Sequence, residues 1–129
     1  MSDFQRIDTS RQFIAISREL KMTPHPARRG PEPHLDGLTV GIVEMSRDAP
    51  HGGELHPDGD EFVCVLSGSV SVTIDSAPEP MVLHAGEGCL IPQGEWHRVH
   101  LLEPTRLLHI TPGPRGAHRP VQAQTAAAR

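Results

Sequence analysis

From residue 38 to residue 111 the apolar side chains of this chain recur at every second position, in runs too short for anything but strands. The runs fall at 38–45, 62–66, 69–75, 81–84, 89–91, 96–102 and 105–111, separated by turns built on Gly, Pro, Ser and Asp. About seven strands at such regular spacing predict an antiparallel barrel or jelly roll. The Ser67-Gly68 step between 62–66 and 69–75 reads as a hairpin turn. Thirteen Pro and twelve Gly against three Phe, one Trp and no Tyr fit short strands with tight turns.

The flanks read differently. Phe13, Ile16 and Leu20 lie at helical spacing with Asp8, Thr9 or Ser10 available as N-cap, which predicts a short helix over 10–22. The β-branched Ile14 and Ile16 also suit a strand. Residues 23–36, with four prolines and Gly30, read as an irregular connector, and the tail from 112 as a surface segment. The expected organisation is an N-terminal helix and connector (1–36), a barrel (37–112) and a tail (113–129). At 129 residues this is one domain that needs no disulfides. Cys64 and Cys89 fall inside predicted strands and read as buried free thiols, so a reducing cytoplasm is expected. The net charge of −4, the scattered basic residues and the short apolar runs argue against nucleic acid and membrane partners. The adjacent pair Arg28-Arg29 sits in the Pro-rich connector and reads as solvated.

Chemistry concentrates in two segments, Glu54-Leu55-His56-Pro57-Asp58-Gly59-Asp60-Glu61 and Pro92-Gln93-Gly94-Glu95-Trp96-His97. Residues two apart in an extended chain share a face, so Glu54 and His56 can point the same way. Glu61 and His97 each open a strand run. Carboxylates with imidazoles suit Zn, Mn, Fe, Co or Ni as divalent ions. Parity from Glu61 turns Val63 and Val65 inward and Phe62, Cys64 and Leu66 outward; from His97 it turns Val99 and Leu101 inward. Val70, Val72 and Ile74 form a third apolar row. The outward row requires cover, either from the N-terminal segment or from a second subunit, and a homodimer is expected.

These two segments resemble the motifs of the cupins, G-x5-H-x-H-x(3,4)-E-x6-G and G-x5-P-x-G-x2-H-x3-N. His56, Glu61 and Gly68 match the first, with four and then six residues between them. Gly86, Pro92, Gly94 and His97 match the second at every spacing. Glu54 stands where the first histidine falls, Asp48 at the first glycine and Leu101 at the final asparagine. The resemblance implies an all-β double-stranded β-helix and an atypical metal set of Glu54, His56, Glu61 and His97. His51 is the alternative to Glu54, and a dissociated Glu54 would serve as the catalytic base.

A divalent ion held by two carboxylates and two neutral imidazoles is formally neutral, which draws small anions such as oxalate less strongly than a three-histidine site. An aliphatic wall from Val63, Val65, Val72, Ile74, Val99 and Leu101 favours a partly apolar, oxygenated small molecule. The expected cofactor is Zn, Mn, Fe or Ni, and the expected activity of oxygenase or isomerase/lyase type. The alternative is a non-catalytic cupin that binds or senses a small ligand, with or without metal. His109 reads as a hydrogen-bonded core histidine within reach of the cavity and His100 as a surface or interface residue. His25, His34, His84 and His118 read as solvated.

Overall fold

The computed structural model describes residues 4–27 and 35–121, which excludes Arg28, Arg29, His34 and the alanine-rich end of the tail. Eleven strands run through the described residues: β1 (Gln12–Ile16), β2 (Met22–Pro26), β3 (Gly37–Met45), β4 (Gly53–Leu55), β5 (Glu61–Ser67), β6 (Ser69–Ile74), β7 (Met81–His84), β8 (Gly88–Ile91), β9 (His97–Leu101), β10 (Thr105–Gly113) and β11 (Ala117–Arg119). They form a six-stranded sheet in the order β2-β1-β3-β10-β5-β8 and a five-stranded sheet in the order β11-β4-β9-β6-β7. Every recorded pairing is antiparallel. From β3 to β11 each connection except β6–β7 passes from one sheet to the other, which gives the jelly-roll topology. No described helix is long and apolar enough to cross a membrane.

The predicted helix over 10–22 is a strand hairpin instead. Asp8 does bond forward: its Oδ1 accepts the Ser10 backbone N–H at 3.0 Å, and its carbonyl accepts the N–H groups of Arg11 and Gln12. That single turn leads into β1 because Ile14 and Ile16 pair opposite Val40 and Leu38 on the edge of β3, where β-branched side chains pack well. Part of the expected connector is likewise strand β2. Its prolines Pro24 and Pro26 are tolerated because β2 is the outermost strand of its sheet. The tail contributes β11, which pairs with β4.

The Ser67-Gly68 step is not a hairpin turn either. β5 and β6 lie in different sheets, and the chain crosses between them at Gly68. Gly68 adopts φ +90°, and a Cβ there would stand 2.4 Å from the Pro104 carbonyl oxygen. Only glycine fits so tight a crossing.

Alternation along β5 matches expectation: Glu61, Val63 and Val65 are buried while Phe62 and Cys64 are half-buried and Leu66 is exposed. With Val70, Val72, Leu83, Ile91 and Leu107 the inward valines make the core between the sheets. Ile74, Cys89, Val99 and Leu101 pack against it. Both cysteines are free and half-buried. On the outer face of the six-stranded sheet, register aligns Ile14, Val40, Ile110, Phe62 and Leu90 across five strands. The N-terminal strands extend this face sideways and do not cover it.

Leu83 is 4% exposed and fills the space under β7. Leu83→Ala is expected to cost about 3 kcal/mol, the middle of the range for deleting a buried leucine side chain. Denaturant unfolding, with the midpoint falling at unchanged slope, is the measurement.

Candidate metal centre

Register brings the four expected donors together. Glu54 in β4 lies directly opposite His97 in β9, and residues opposite one another in an antiparallel pair share a face. Gly53, at φ +149°, lets the two strands approach there, since a Cβ would lie 3.0 Å from the His97 carbonyl oxygen. His56 comes directly after β4, two residues on from Glu54, and faces the same way. Glu61 arrives from the other sheet at the start of β5. One ligand atom from each of the four lies within 4.8 Å of all the others.

His56, Glu61 and His97 are buried, and Glu54 is half-buried at the mouth. His97 Nε2 lies 3.0 Å from Glu61 Oε1 and 3.7 Å from Glu54 Oε1; His56 Nε2 lies 3.5 Å and 3.7 Å from the same two oxygens. Yet these ring nitrogens are buried with no hydrogen-bond partner. Proximity without alignment means that the nitrogens and oxygens aim at a common point and not at one another. On the far side of the ring, His97 Nδ1 sits 3.2 Å from the Glu95 carbonyl oxygen. A carbonyl can only accept, so Nδ1 carries a hydrogen, and a ring that yields its other proton to a metal ion presents its lone pair at Nε2. Thr111 backs the other sheet by donating its hydroxyl to Glu61 Oε2 at 2.6 Å. Donor types, tautomer and orphaned lone pairs all suit a divalent ion.

Burial works against charge on all four groups, but the opposite charges alongside outweigh it. The flanking carboxylates of Glu54 and Glu61 push His56 up to about 10 and His97 up to about 9. The imidazoles hold Glu61 down to about 2 and Glu54 well below the usual carboxylate range. Burial also keeps the His51 imidazole below its ordinary value.

The cavity above the site has a volume of about 740 Å³. Of the expected aliphatic wall, Val63 and Val99 line it, while Val65 and Val72 belong to the core below and Ile74 and Leu101 pack on that core. Val43 and Leu107 complete the wall from β3 and β10. His109 also lines it, with Nδ1 2.8 Å from Thr111 Oγ1, so it is both hydrogen-bonded and in the cavity. His100 is exposed and bonded to Asp48 at 2.6 Å. Asp48 Oδ1 accepts the Leu101 backbone N–H at 2.8 Å, so two of the three motif departures touch each other. Sequence reasoning missed His118: it is not merely solvated, because its Nε2 lies 3.1 Å from Glu54 Oε2. Three residues of strand between glycine and proline gave no usable periodicity.

The family model of the cupin domain, Cupin_2, matches residues 41–111, and the chain belongs to that family. Protein SchB of Streptomyces halstedii is 37% identical over 71 residues, which span 51% of this chain and 49% of that protein. The chain thus spans about half the length of the curated relative it matches. Among solved structures, oxalate decarboxylase of Bacillus subtilis superposes with a TM-score of 0.54 at 19% identity, over 64% of this chain and 24% of that one. A candidate mannose-6-phosphate isomerase of Ralstonia eutropha JMP134 gives 0.51 at 26% identity, over 59% and 74%.

The shifted groups set a pH profile for the metal-free protein. Raised histidines stabilise the fold fully below their ordinary value of 6.5, and that stabilisation fades as pH rises through 9 to 10. A depressed Glu61 stabilises it above 4.5 and loses this as pH falls toward 2. Thermal unfolding across pH is therefore expected to peak between 4.5 and 6.5, and Glu61→Gln to flatten the acid side.

Proposed function

We propose that Glu54, His56, Glu61 and His97 hold one divalent metal ion and that the protein is an enzyme acting on a small, partly apolar, oxygenated organic molecule. The observation that carries this reading is the pair of buried imidazoles whose Nε2 atoms lie within 3.7 Å of two carboxylates without bonding to them. An ion bound there supplies Lewis acidity and open coordination positions of the kind used by oxygenases and by isomerases or lyases. The chain's own groups do the rest. Val43, Val63, Val99 and Leu107 receive the apolar part of the substrate and exclude water from it. Glu61 stays fixed by Thr111, which leaves its Oε1 toward the ion. His109, with Nδ1 tied to Thr111, offers Nε2 as a polar contact to substrate in the cavity.

Manganese(II) centres in the structurally similar oxalate decarboxylase of Bacillus subtilis support a divalent ion in this fold. The second carboxylate argues against oxalate itself, because a formally neutral site attracts a dianion weakly. Unpaired Cys64 and Cys89 suit the reducing cytoplasm.

Protein purified without a metal-affinity tag is expected to carry one equivalent of zinc, manganese, iron or nickel by elemental analysis. His97→Ala should lose it, because the three donors that remain, with a single imidazole among them, retain the ion poorly. Anomalous diffraction should place the ion between His56 and His97. Side chains that converge around no ion after soaking with zinc, manganese and iron would overturn the reading.

The same proposal includes a homodimer formed through the outer face of the six-stranded sheet. Ile14, Val40, Phe62, Leu90 and Ile110 align there, and Leu90 is 71% exposed. Burying such a row against its copy removes apolar surface that water disfavours. Light scattering at micromolar concentration should give twice the chain mass, and Leu90→Glu should shift it toward monomer. A wild-type monomer would refute the dimer and leave the metal site untouched.

A further inference from the structure

β4 is flanked on both sides. Glu54 lies opposite His97 in β9 and opposite His118 in β11, so the three side chains stand in one row on one face. The two oxygens of Glu54 divide between the neighbours. Oε1 faces the site, 3.7 Å from both His56 Nε2 and His97 Nε2. Oε2 faces away from it, 3.1 Å from His118 Nε2 and 3.3 Å from His51 Nε2. The rings of His51 and His118 stack at 4.5 Å between centroids and 13° between planes, which presents both edges to the same oxygen.

The proton on His51 is settled by its other nitrogen. The Gly53 backbone N–H donates to His51 Nδ1 at 3.2 Å, so Nδ1 is the acceptor and the neutral ring carries its hydrogen on Nε2. This is the reverse of His97, whose Nδ1 faces a carbonyl and whose Nε2 is free to ligate. His51 is therefore built to donate to Glu54 and not to replace it at the ion.

We propose that His51 and His118 are positioning residues that clamp Glu54 Oε2, His118 through the hydrogen bond at 3.1 Å and His51 through an Nε2–H that stands 3.3 Å away and closes onto the same oxygen when the ion binds, so that Glu54 meets the ion through Oε1 alone. The proposal rests on the metal-site reading above. An oxygen that accepts two N–H groups has no lone pair left for the ion, so a chelating carboxylate is excluded and one more coordination position stays open to substrate or water. It also makes Glu54 a held ligand and not a mobile base. The same three residues also lie close enough to hold a second ion, with one ligand atom each within 4.8 Å of the others. The hydrogen on His51 Nε2 weighs against that arrangement.

The test uses the full chain, titrated with zinc and with manganese against a competing chelator. His51→Ala with His118→Ala is expected to weaken affinity about 10- to 100-fold, as for other groups behind metal ligands. His51→Gln and His118→Gln, which keep an N–H at the same reach, should restore most of it. In a Glu54→Gln background the paired alanine replacement should change nothing further. An equal loss in that background, or no loss in the wild type, overturns the clamp, as does binding of two ions per chain. A second readout needs no metal: in the metal-free protein at mildly alkaline pH, nitrogen-15 NMR of the imidazoles should show His51 protonated at Nε2. Its signal and that of His118 should move on Glu54→Gln. A His51 protonated at Nδ1 overturns the proposal. If the wild type takes up no ion, the metal reading fails, and the NMR result alone decides the clamp.

Discussion

Two carboxylates and two imidazoles meet at one point between the sheets, and none of them could be buried there without the others. A lone ionised carboxylate in such surroundings costs several kcal/mol. Opposite charges at 3.0–3.7 Å offset that cost, which is why the histidines rise and the glutamates fall. The two sheets must therefore stay in fixed alignment at their mouth. The core valines of β5 and β6 set the spacing, while Thr111 fixes the Glu61 carboxylate and the Glu95 carbonyl fixes the His97 ring.

Much of this was legible in the sequence, for a physical reason. Period two is a direct consequence of the pleat, so the inward set Glu61, Val63, Val65 and the outward set Phe62, Cys64, Leu66 could be read without knowing any partner strand. Partnership itself was not legible. Ser67-Gly68 looks the same whether the chain turns back or crosses to the facing sheet, and the outcome rests on distant pairings and on the Pro104-Thr105 backbone packed against Gly68. The N-terminal segment failed differently. Phe13, Ile16 and Leu20 fit a helical face, but the free edge of β3 captured Ile14 and Ile16 as a strand, an outcome decided by residues more than twenty positions away.

The departures from the family's motifs are connected. Asp48, in place of a glycine, caps the backbone of Leu101, in place of an asparagine, and holds His100 as well. Burial alone would raise the Asp48 carboxyl, and it lies low because the Leu101 N–H and His100 oppose that burial. Glu54, in place of a histidine, has two histidines behind it where a ligating imidazole would need only one acceptor. The Asp48 and Glu54 replacements thus arrive with their own polar partners.

β11 begins at Ala117, six positions after the family match ends at Thr111. A residue in contact with Glu54 therefore lies outside the stretch by which cupins are recognised. Two relatives could share every motif residue and still differ at this glutamate, through drift in a three-residue strand. Such a site can be retuned from a segment outside the family match while every motif residue of the barrel stays the same.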